Sequence, residues 1–342
     1  MNTAELETTA QAMVHRGKGI LAADESSGTI EKRLSSVNVP STDETRRDYR
    51  EMLFRTKGLG AYISGVILFD ETIRQKGADG TPLIELLTGQ GIIPGIKVDK
   101  GAKALAGAAG EKVTEGLDGL RERYAKYREI GARFAKWRAV ITIGDGLPSA
   151  YCLEANAHAL ARYAALAQEA DLVPIVEPEV LMDGDHDLER CATATEATLK
   201  RVYQALHRHR VHLEGTLLKP NMVLAGKDCP NQPSIDAVAR ATIRCLRRCV
   251  PAAVPGIVFL SGGQTDLDAT VRLNAMNAEG PHPWALSFSY GRALQGVPLK
   301  EWSGSAENVP AAQAALHHRA RMNGAATTGS WSPELEEQRL SA

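Results

Sequence analysis

Charged side chains lie inside or at the ends of short apolar segments of this sequence. Asp24 closes one such segment and Lys219 closes another. The others form pairs two positions apart: Lys97 and Asp99, Lys136 and Arg138, and Glu177 and Glu179. In a β-strand this spacing puts both side chains on one face, about 6.8 Å apart. Burying an ion costs several kcal/mol, so these charges indicate a functional site rather than a structural plug.

Lys219 is the candidate nucleophile. A free amine attacks a ketone to form a Schiff base, whereas an ammonium cannot. At the ordinary lysine pKa of about 10.4, only about 0.04% of such amines are free at pH 7. Burial and a second cation such as Lys136 favour the free amine. Glu177 and Glu179 would then carry protons during carbinolamine formation and dehydration. Taken alone, Lys219 fits a solvated lysine just past a strand better than a nucleophile.

Two glycine-containing loops follow the last two apolar segments, SGGQ at 261–264 and SYGR at 289–292. The hydroxyl of Ser261, the backbone N–H groups of the next two glycines and the fork of Arg292 are suited to a phosphate. A single Ser-Gly-Gly run is as often a plain turn. Two such loops in succession favour a phosphate site.

A second anion site is predicted directly after Asp24. Ser26, Ser27 and Thr29 precede a basic helix that carries Arg33. Hydroxyls and N–H groups at a helix N-terminus bind phosphate well, although plain capping by Thr29 or Ser27 is the alternative. Two phosphate sites on opposite sides of one opening would suit a bisphosphate.

Apolar segments rich in β-branched residues alternate with amphipathic helices along the chain. Strands are predicted over residues 19–24, 60–69, 91–99, 133–143, 172–179, 213–219, 256–261 and 284–290. The clearest helices are predicted over residues 148–169, 187–207 and 235–250. This alternation indicates a parallel sheet, and eight strands match an α/β TIM (β/α)₈ barrel, whose chemistry occurs at the C-terminal mouth. An open doubly wound sheet is the alternative.

The chain has 342 residues, of which 44% are hydrophobic, enough for a substantial core. We expect residues 1–323 to form a single barrel domain with an N-terminal helix over residues 3–15. Residues 324–342 are small, polar and weakly periodic, which predicts a mobile tail.

The composition argues against several partners and locations. Lys and Arg total 40 against 41 Asp and Glu, so no general attraction to nucleic acid or anionic membrane is expected. Five cysteines in no regular spacing indicate reduced thiols. There is no signal-peptide core and no apolar run of about 18 residues. We therefore expect a cytoplasmic protein.

Two motifs point to other chemistry but are weak. His207, His209 and His212 resemble metal ligands, yet arginines lie between them, and a basic helix C-terminus explains them better. No metal site is therefore predicted. The pair Gly58 and Gly60 precedes a strand instead of following one, so it does not fit a dinucleotide site. No cofactor is predicted.

Taken together, these residues resemble the class I fructose-1,6-bisphosphate aldolases, in order, over roughly residues 5–325. The matching runs are GKGILAADES (17–26), GVILF (65–69), GIKVDKG (95–101), FAKWR (134–138), VPIVEPE (173–179), LEGTLLKPNM (213–222), LSGGQ (260–264) and WALSFSYGR (284–292).

The resemblance implies a role for each catalytic residue. Lys219 would form the Schiff base at C2 of the sugar. Glu177 would remove the carbinolamine oxygen as water, and Asp24 would take the C4 hydroxyl proton as the C3–C4 bond breaks. Lys136 and Glu179 would tune this network. The protonated imine is the electron sink, so no metal is needed.

The resemblance also implies the substrate-binding set. The C1 phosphate would contact Ser261, Gly262, Gly263, Ser289, Gly291 and Arg292, with Arg33 nearby. The C6 phosphate would contact Ser26, Thr29 and Lys97, and Arg138 completes the set. The substrate would be fructose 1,6-bisphosphate, with fructose 1-phosphate a second. Members of the family are usually homotetramers in glycolysis and gluconeogenesis.

One feature departs from the family. In the best-known relatives the tail ends in a tyrosine that helps to reprotonate the enamine, whereas here no tyrosine follows Tyr290. Another acid has to reprotonate the enamine, with Glu177 and water as the candidates.

Two rival hypotheses for the function are a Schiff-base lyase or transaldolase acting on a monophosphate, and a non-catalytic scaffold that kept the fold.

Overall fold

The computed structural model describes residues 1–338, in which eight parallel strands close into a barrel. The ten strands are β1 (Gly19–Ala23), β2 (Ile63–Leu68), β3 (Ile93–Lys97), β4 (Ala102–Ala104), β5 (Lys112–Thr114), β6 (Phe134–Ile141), β7 (Val173–Val180), β8 (Leu217–Leu218), β9 (Gly256–Phe259) and β10 (Ala285–Tyr290). The barrel order is β1-β2-β3-β6-β7-β8-β9-β10, and β10 pairs with β1. The predicted TIM barrel is therefore confirmed.

Helices surround the barrel and follow most of its strands. They are α1 (Thr3–Met13), α2 (Ser27–Ser35), α3 (Asp43–Phe54), α4 (Asp70–Arg74), α5 (Leu83–Thr88), α6 (Leu120–Ile130), α7 (Ala150–Glu169), α8 (Leu188–Arg208), α9 (Ile235–Cys249), α10 (Asp266–Ala278), α11 (Arg292–Trp302), α12 (Val309–Ala326) and α13 (Pro333–Glu337). The side chains of Ser149, Asp187 and Ser234 cap α7, α8 and α9 by accepting backbone N–H bonds. These three helices lie where the sequence predicts them.

Three local features differ from the sequence-based expectation. Residues 59–61 and 213–215 form 3₁₀ turns, so β2 and β8 begin later than predicted. An antiparallel hairpin of β4 and β5 follows β3 and was not predicted. Its strands have three residues each, too few to show a recognisable alternation of polar and apolar positions.

The N-terminal end of the barrel is filled by apolar side chains. Leu6, Ala10 and Met13 of α1 pack in one buried cluster with residues of the barrel strands, among them Phe134. Phe134 requires a glycine at position 95, because a Cβ there would lie 2.2 Å from its ring. Water is thus excluded below the charged end of the barrel, where the site lies.

The chain continues in regular structure beyond the predicted domain boundary at residue 323. Helix α12 runs to Ala326. Trp331 follows, and its backbone N–H donates to Asn274 at 3.0 Å. In α13, Glu336 pairs with the buried Arg319 and accepts from the Trp331 indole at 2.8 Å. The mobility expected of residues 324–342 stays a prediction, and residues 339–342 lie outside the described part of the chain.

Candidate active site

The charged residues singled out in the sequence meet at the C-terminal mouth of the barrel. They line a cavity of about 380 Å³. Of the predicted site residues, the cavity wall contains Asp24, Ser26, Thr29, Arg33, Lys97, Lys136, Arg138, Glu177, Glu179, Lys219, Ser261, Gly262, Ser289, Gly291 and Arg292. The three charged pairs with a spacing of two residues, Lys97/Asp99, Lys136/Arg138 and Glu177/Glu179, all line this cavity.

A chain of alternating charges lies at the centre of this cavity. Lys219 Nζ is 3.2 Å from Glu177 Oε1, and Lys136 Nζ is 3.2 Å from Glu177 Oε2 and 2.7 Å from Asp24 Oδ2. Both lysine side chains are only 5% exposed. Glu177 therefore lies between the side-chain nitrogens of two lysines, and Lys136 lies between two carboxylates.

The neighbouring charges overcome the effect of burial on these groups. Burial alone would raise the pKa of Asp24, but Lys136 and then Lys219 lower that pKa to about 2. Burial also opposes ionisation of Glu177, yet Lys136, Lys219 and Arg138 hold its pKa below the usual range. Burial would lower the pKa of Lys136, but Asp24 and Glu177 raise it well above normal. All three groups are charged at neutral pH.

Two further ion pairs border the central chain. Arg138 pairs with Glu179, and the register of β6 and β7 places Arg138 beside Glu177. Burial lowers the pKa of Arg138, but Glu179 raises it above its ordinary value. Lys97 Nζ lies 3.4 Å from Asp99 Oδ1. The wall of the mouth therefore offers both signs of charge.

The loop after β9, strand β10 and the start of α11 contribute hydroxyls and a guanidinium. The Ser289 side chain is buried, and its Oγ has no hydrogen-bond partner within residues 1–338. Such an unpartnered hydroxyl is costly unless a ligand satisfies it. Arg292 begins α11 and donates to the carbonyl of Gln264, which joins α11 to the loop after β9. Gly263 lies outside the cavity wall, and its φ of +74° shapes the turn instead.

The predicted second anion site lies on the side of β1. Ser26 is the N-cap residue of α2, but its side chain makes no capping hydrogen bond. Its Oγ lies 3.2 Å from Thr29 Oγ1. The two hydroxyls thus hydrogen-bond to each other and not to the helix backbone. Both lie at the helix N-terminus, where N–H groups favour an anion.

Sequence reasoning missed part of the cavity wall. Glu25 belongs to it, together with Gly101 and Ala102 at the start of the β4–β5 hairpin. The run Asp-Glu-Ser at 24–26 was a signal for Glu25, since it places a second carboxylate beside Asp24. The segment after residue 99 carried no comparable signal.

The features set aside in the sequence lie away from the mouth. His209 Nδ1 is 2.9 Å from the carbonyl of Ala205, and His212 Nε2 is 2.7 Å from Glu7 Oε1. Within residues 1–338, no group of three or more His, Cys, Asp or Glu is arranged to hold a metal ion. In the same part of the chain no helix is both long and apolar enough to cross a membrane.

Comparisons with known proteins agree on one family. The family model "Fructose-bisphosphate aldolase class-I" matches residues 5–342. The probable fructose-bisphosphate aldolase class 1 of Xanthomonas campestris pv. campestris is 59% identical, over 97% of this chain and 99% of that protein. The cytosolic fructose-bisphosphate aldolase 4 of Arabidopsis thaliana is 53% identical, over 98% of this chain and 86% of that protein.

A solved structure shares the fold closely. It is fructose-bisphosphate aldolase from Plasmodium falciparum in complex with TRAP and a small-molecule inhibitor. The TM-score is 0.95 at 52% identity, and the alignment covers 96% of this chain and 95% of the other.

Proposed function

This chain belongs to the class I fructose-bisphosphate aldolases and is an enzyme of that class, and from this premise we propose that it cleaves its substrate through a Schiff base on Lys219. The reaction is the reversible cleavage of fructose 1,6-bisphosphate to dihydroxyacetone phosphate and glyceraldehyde 3-phosphate. Fructose 1-phosphate is proposed as a second substrate.

The observation that carries this proposal is the 3.2 Å contact between the buried Lys219 Nζ and Glu177 Oε1 in the wall of the cavity. Transfer of one proton from Lys219 to Glu177 yields a free amine and a carboxylic acid. The amine attacks C2 of the ketose to form a carbinolamine. Glu177 then returns the proton to the C2 hydroxyl, which leaves as water, and the protonated imine remains.

Asp24 is proposed to accept the proton of the C4 hydroxyl. With a pKa of about 2 it is always ionised, but such a carboxylate is a weak base. We therefore expect the C4 hydroxyl to displace Lys136 from Asp24, which strengthens the base as the C3–C4 bond breaks. The electron pair of that bond passes into the protonated imine, giving an enamine and releasing the aldehyde.

Two anion sites in the wall of one cavity favour a bisphosphate over the monophosphate of the rival hypothesis. The C1 phosphate is assigned to Ser261, Ser289 and Arg292, and the C6 phosphate to Ser26 and Thr29. Lys97, which lines the same cavity as Thr29, is assigned to the C6 phosphate as its cation. The C2 carbonyl of the substrate would then lie between the two phosphate sites, near Lys219.

The direct test is borohydride reduction in the presence of dihydroxyacetone phosphate, followed by peptide mapping. Label is expected on Lys219, with the same yield in the presence of a chelator. Label on another lysine would contradict the assignment of the nucleophile. Absence of both label and cleavage would favour the scaffold hypothesis.

The double variant Ser26→Ala/Thr29→Ala is expected to discriminate between the two substrates. Loss of hydrogen bonds to a charged phosphate should raise KM for fructose 1,6-bisphosphate by about tenfold or more. Fructose 1-phosphate has no C6 phosphate, so its KM, or its inhibition constant if turnover is slow, should not change. The control is Thr328→Ala/Ser330→Ala, which removes a similar hydroxyl pair 2.7 Å apart. Equal changes for both sugars would contradict the C6 assignment.

Deletion of residues 331–342 is expected to leave turnover little changed, because the enamine is proposed to take its proton from Glu177 or water. Stability should fall by about 2 kcal/mol, since the buried Arg319 loses its ion pair with Glu336. Steady-state kinetics and thermal unfolding of the truncated and full chains measure the two effects. A fall in turnover of about 100-fold or more would instead place a required acid in the deleted segment.

The organisation of the protein in the cell is also proposed. A single barrel unit with a mobile tail, a homotetrameric assembly, a cytoplasmic location and a role in glycolysis and gluconeogenesis follow from the family resemblance. Light scattering of the purified chain tests the assembly.

A further inference from the structure

Two charged side chains lie buried behind the mouth and take no part in the proposed chemistry. Glu25 follows Asp24 at the end of β1, and its side chain is 3% exposed. Arg50, on α3, is completely buried. Because each buried ion costs several kcal/mol to desolvate, this pair requires a structural or functional reason.

Arg50 holds both the backbone and the side chain of Glu25. Its Nη2 donates to the Glu25 carbonyl at 2.9 Å and lies 3.8 Å from Glu25 Oε2. The second terminal nitrogen of Arg50, Nη1, lies 3.3 Å from Glu71 Oε2. The position of Glu25 is therefore set from α3.

Gln295 of α11 holds Glu25 from a second direction. Its Nε2 donates to Glu25 Oε1 at 2.9 Å and to the Ala22 carbonyl of β1 at 2.7 Å. Tyr49 donates to the Gln295 Oε1 at 3.0 Å, which fixes the amide orientation. Glu25 Oε1 is thus held by a hydrogen bond from α11, whereas Oε2 has no hydrogen-bond partner within residues 1–338 and lies 3.8 Å from Arg50.

The Glu25 carboxylate forms an ion pair with Arg33, which lines the cavity. Its Nη1 pairs with Glu25 Oε1, and within residues 1–338 Arg33 has no other ion-pair partner. Its Nη2 lies against the loop after β10, because a Cβ at Gly291 would be only 3.3 Å from it. Glycine at 291 therefore lets the guanidinium reach across to the loop of Arg292, where the C1 phosphate is proposed to bind.

We propose that Glu25, supported by Arg50 and Gln295, is a positioning residue that aims Arg33 at the C1 phosphate of the substrate. The inference rests on the proposed function. Glu25 occupies one edge of the guanidinium and orients it, so that the remaining N–H donors face the phosphate. Pre-ordering of a long side chain reduces the entropy that binding has to overcome.

The test is Glu25→Gln, which keeps the shape and one acceptor but removes the charge. KM for fructose 1,6-bisphosphate and for fructose 1-phosphate should both rise about tenfold, since both carry the C1 phosphate, while kcat changes by less than about threefold. In an Arg33→Ala background the same substitution should produce no further rise. A purely structural role would lower stability without this dependence on Arg33.

Glu51→Gln is the matched control. Glu51 is also a buried carboxylate, but it lies on α3 and pairs with Arg55 instead of Arg33. It should lower stability and leave KM unchanged. Should Glu25→Gln fail to fold, Glu25→Asp keeps the charge but draws Arg33 back by one methylene, and KM should rise severalfold. The proposal is overturned if KM stays within about twofold of the wild type, if it rises equally without Arg33, or if Glu51→Gln has the same effect.

A failure of the proposed Schiff-base chemistry can be distinguished from a failure of the positioning role of Glu25. The affinity for inorganic phosphate, measured by calorimetry, does not depend on the Schiff base. A weaker affinity in Glu25→Gln would support the positioning role even if borohydride placed no label on Lys219.

Discussion

Replacement of Lys219 by methionine is expected to abolish cleavage of fructose 1,6-bisphosphate, with kcat lowered by about 10⁴-fold or more. The amine is the proposed covalent nucleophile, and no neighbouring group can take its place without leaving its own ion pair. Methionine fills a similar volume in the buried position. Glu177 keeps Lys136 as a partner at 3.2 Å, so the barrel should still fold.

Steady-state kinetics and borohydride trapping measure this effect, and circular dichroism checks the fold. The matched control is Lys227→Met, which removes an exposed lysine that lies 2.7 Å from Asp183. This control should retain wild-type activity and label. Retention of about 1% of activity or more by Lys219→Met would show that the imine is not formed on this residue.

Lys136→Met is expected to lower both activity and stability, and the loss of stability should grow with pH. The substitution leaves Asp24 and Glu177 buried together without their shared cation. Breaking a buried pair in this way costs about 3–5 kcal/mol. Burial and mutual repulsion then raise the pKa of the carboxyl groups, so one of them is expected to take up a proton.

The direction of the pH effect follows from the two states of the carboxyl groups. In the wild type the folded pKa of Asp24 is about 2, so its stabilisation is constant at pH 5–8 and is lost only as pH falls toward 2. In the variant we expect the carboxyl group that takes up a proton to have a pKa in the folded state above its pKa in the unfolded state. Stability is then greatest at low pH and is lost as pH rises through the folded pKa.

Thermal unfolding at about pH 5.5 and pH 8, at one fixed protein concentration, measures the difference. The gap between wild type and Lys136→Met should widen at the higher pH. Lys227→Met should lie close to the wild type at both values, since an exposed ion pair contributes about 0–1 kcal/mol. An equal gap at the two pH values would mean that neither carboxyl group of the variant titrates between about pH 5.5 and pH 8.

Much of the fold followed from local sequence patterns. Strands and helices alternate visibly along the chain, and Ser149, Asp187 and Ser234 mark helix starts through their short acceptor side chains. The placement of the Glu177 and Glu179 side chains on one face of β7 followed from the two-residue period of a strand alone. These patterns depend on backbone geometry over a few residues, which is why the sequence determines them by itself.

Only the tertiary structure decided which charges meet. The sequence placed Asp24, Lys136 and Glu177 at one end of a barrel but did not say that Lys136 would contact both carboxylates. Arg50 belongs to a run of charged residues in α3, a pattern typical of a solvated helix face, yet it is completely buried near Glu25. Contacts between residues far apart in the chain depend on barrel closure, strand register and side-chain reach, and no local pattern encodes these.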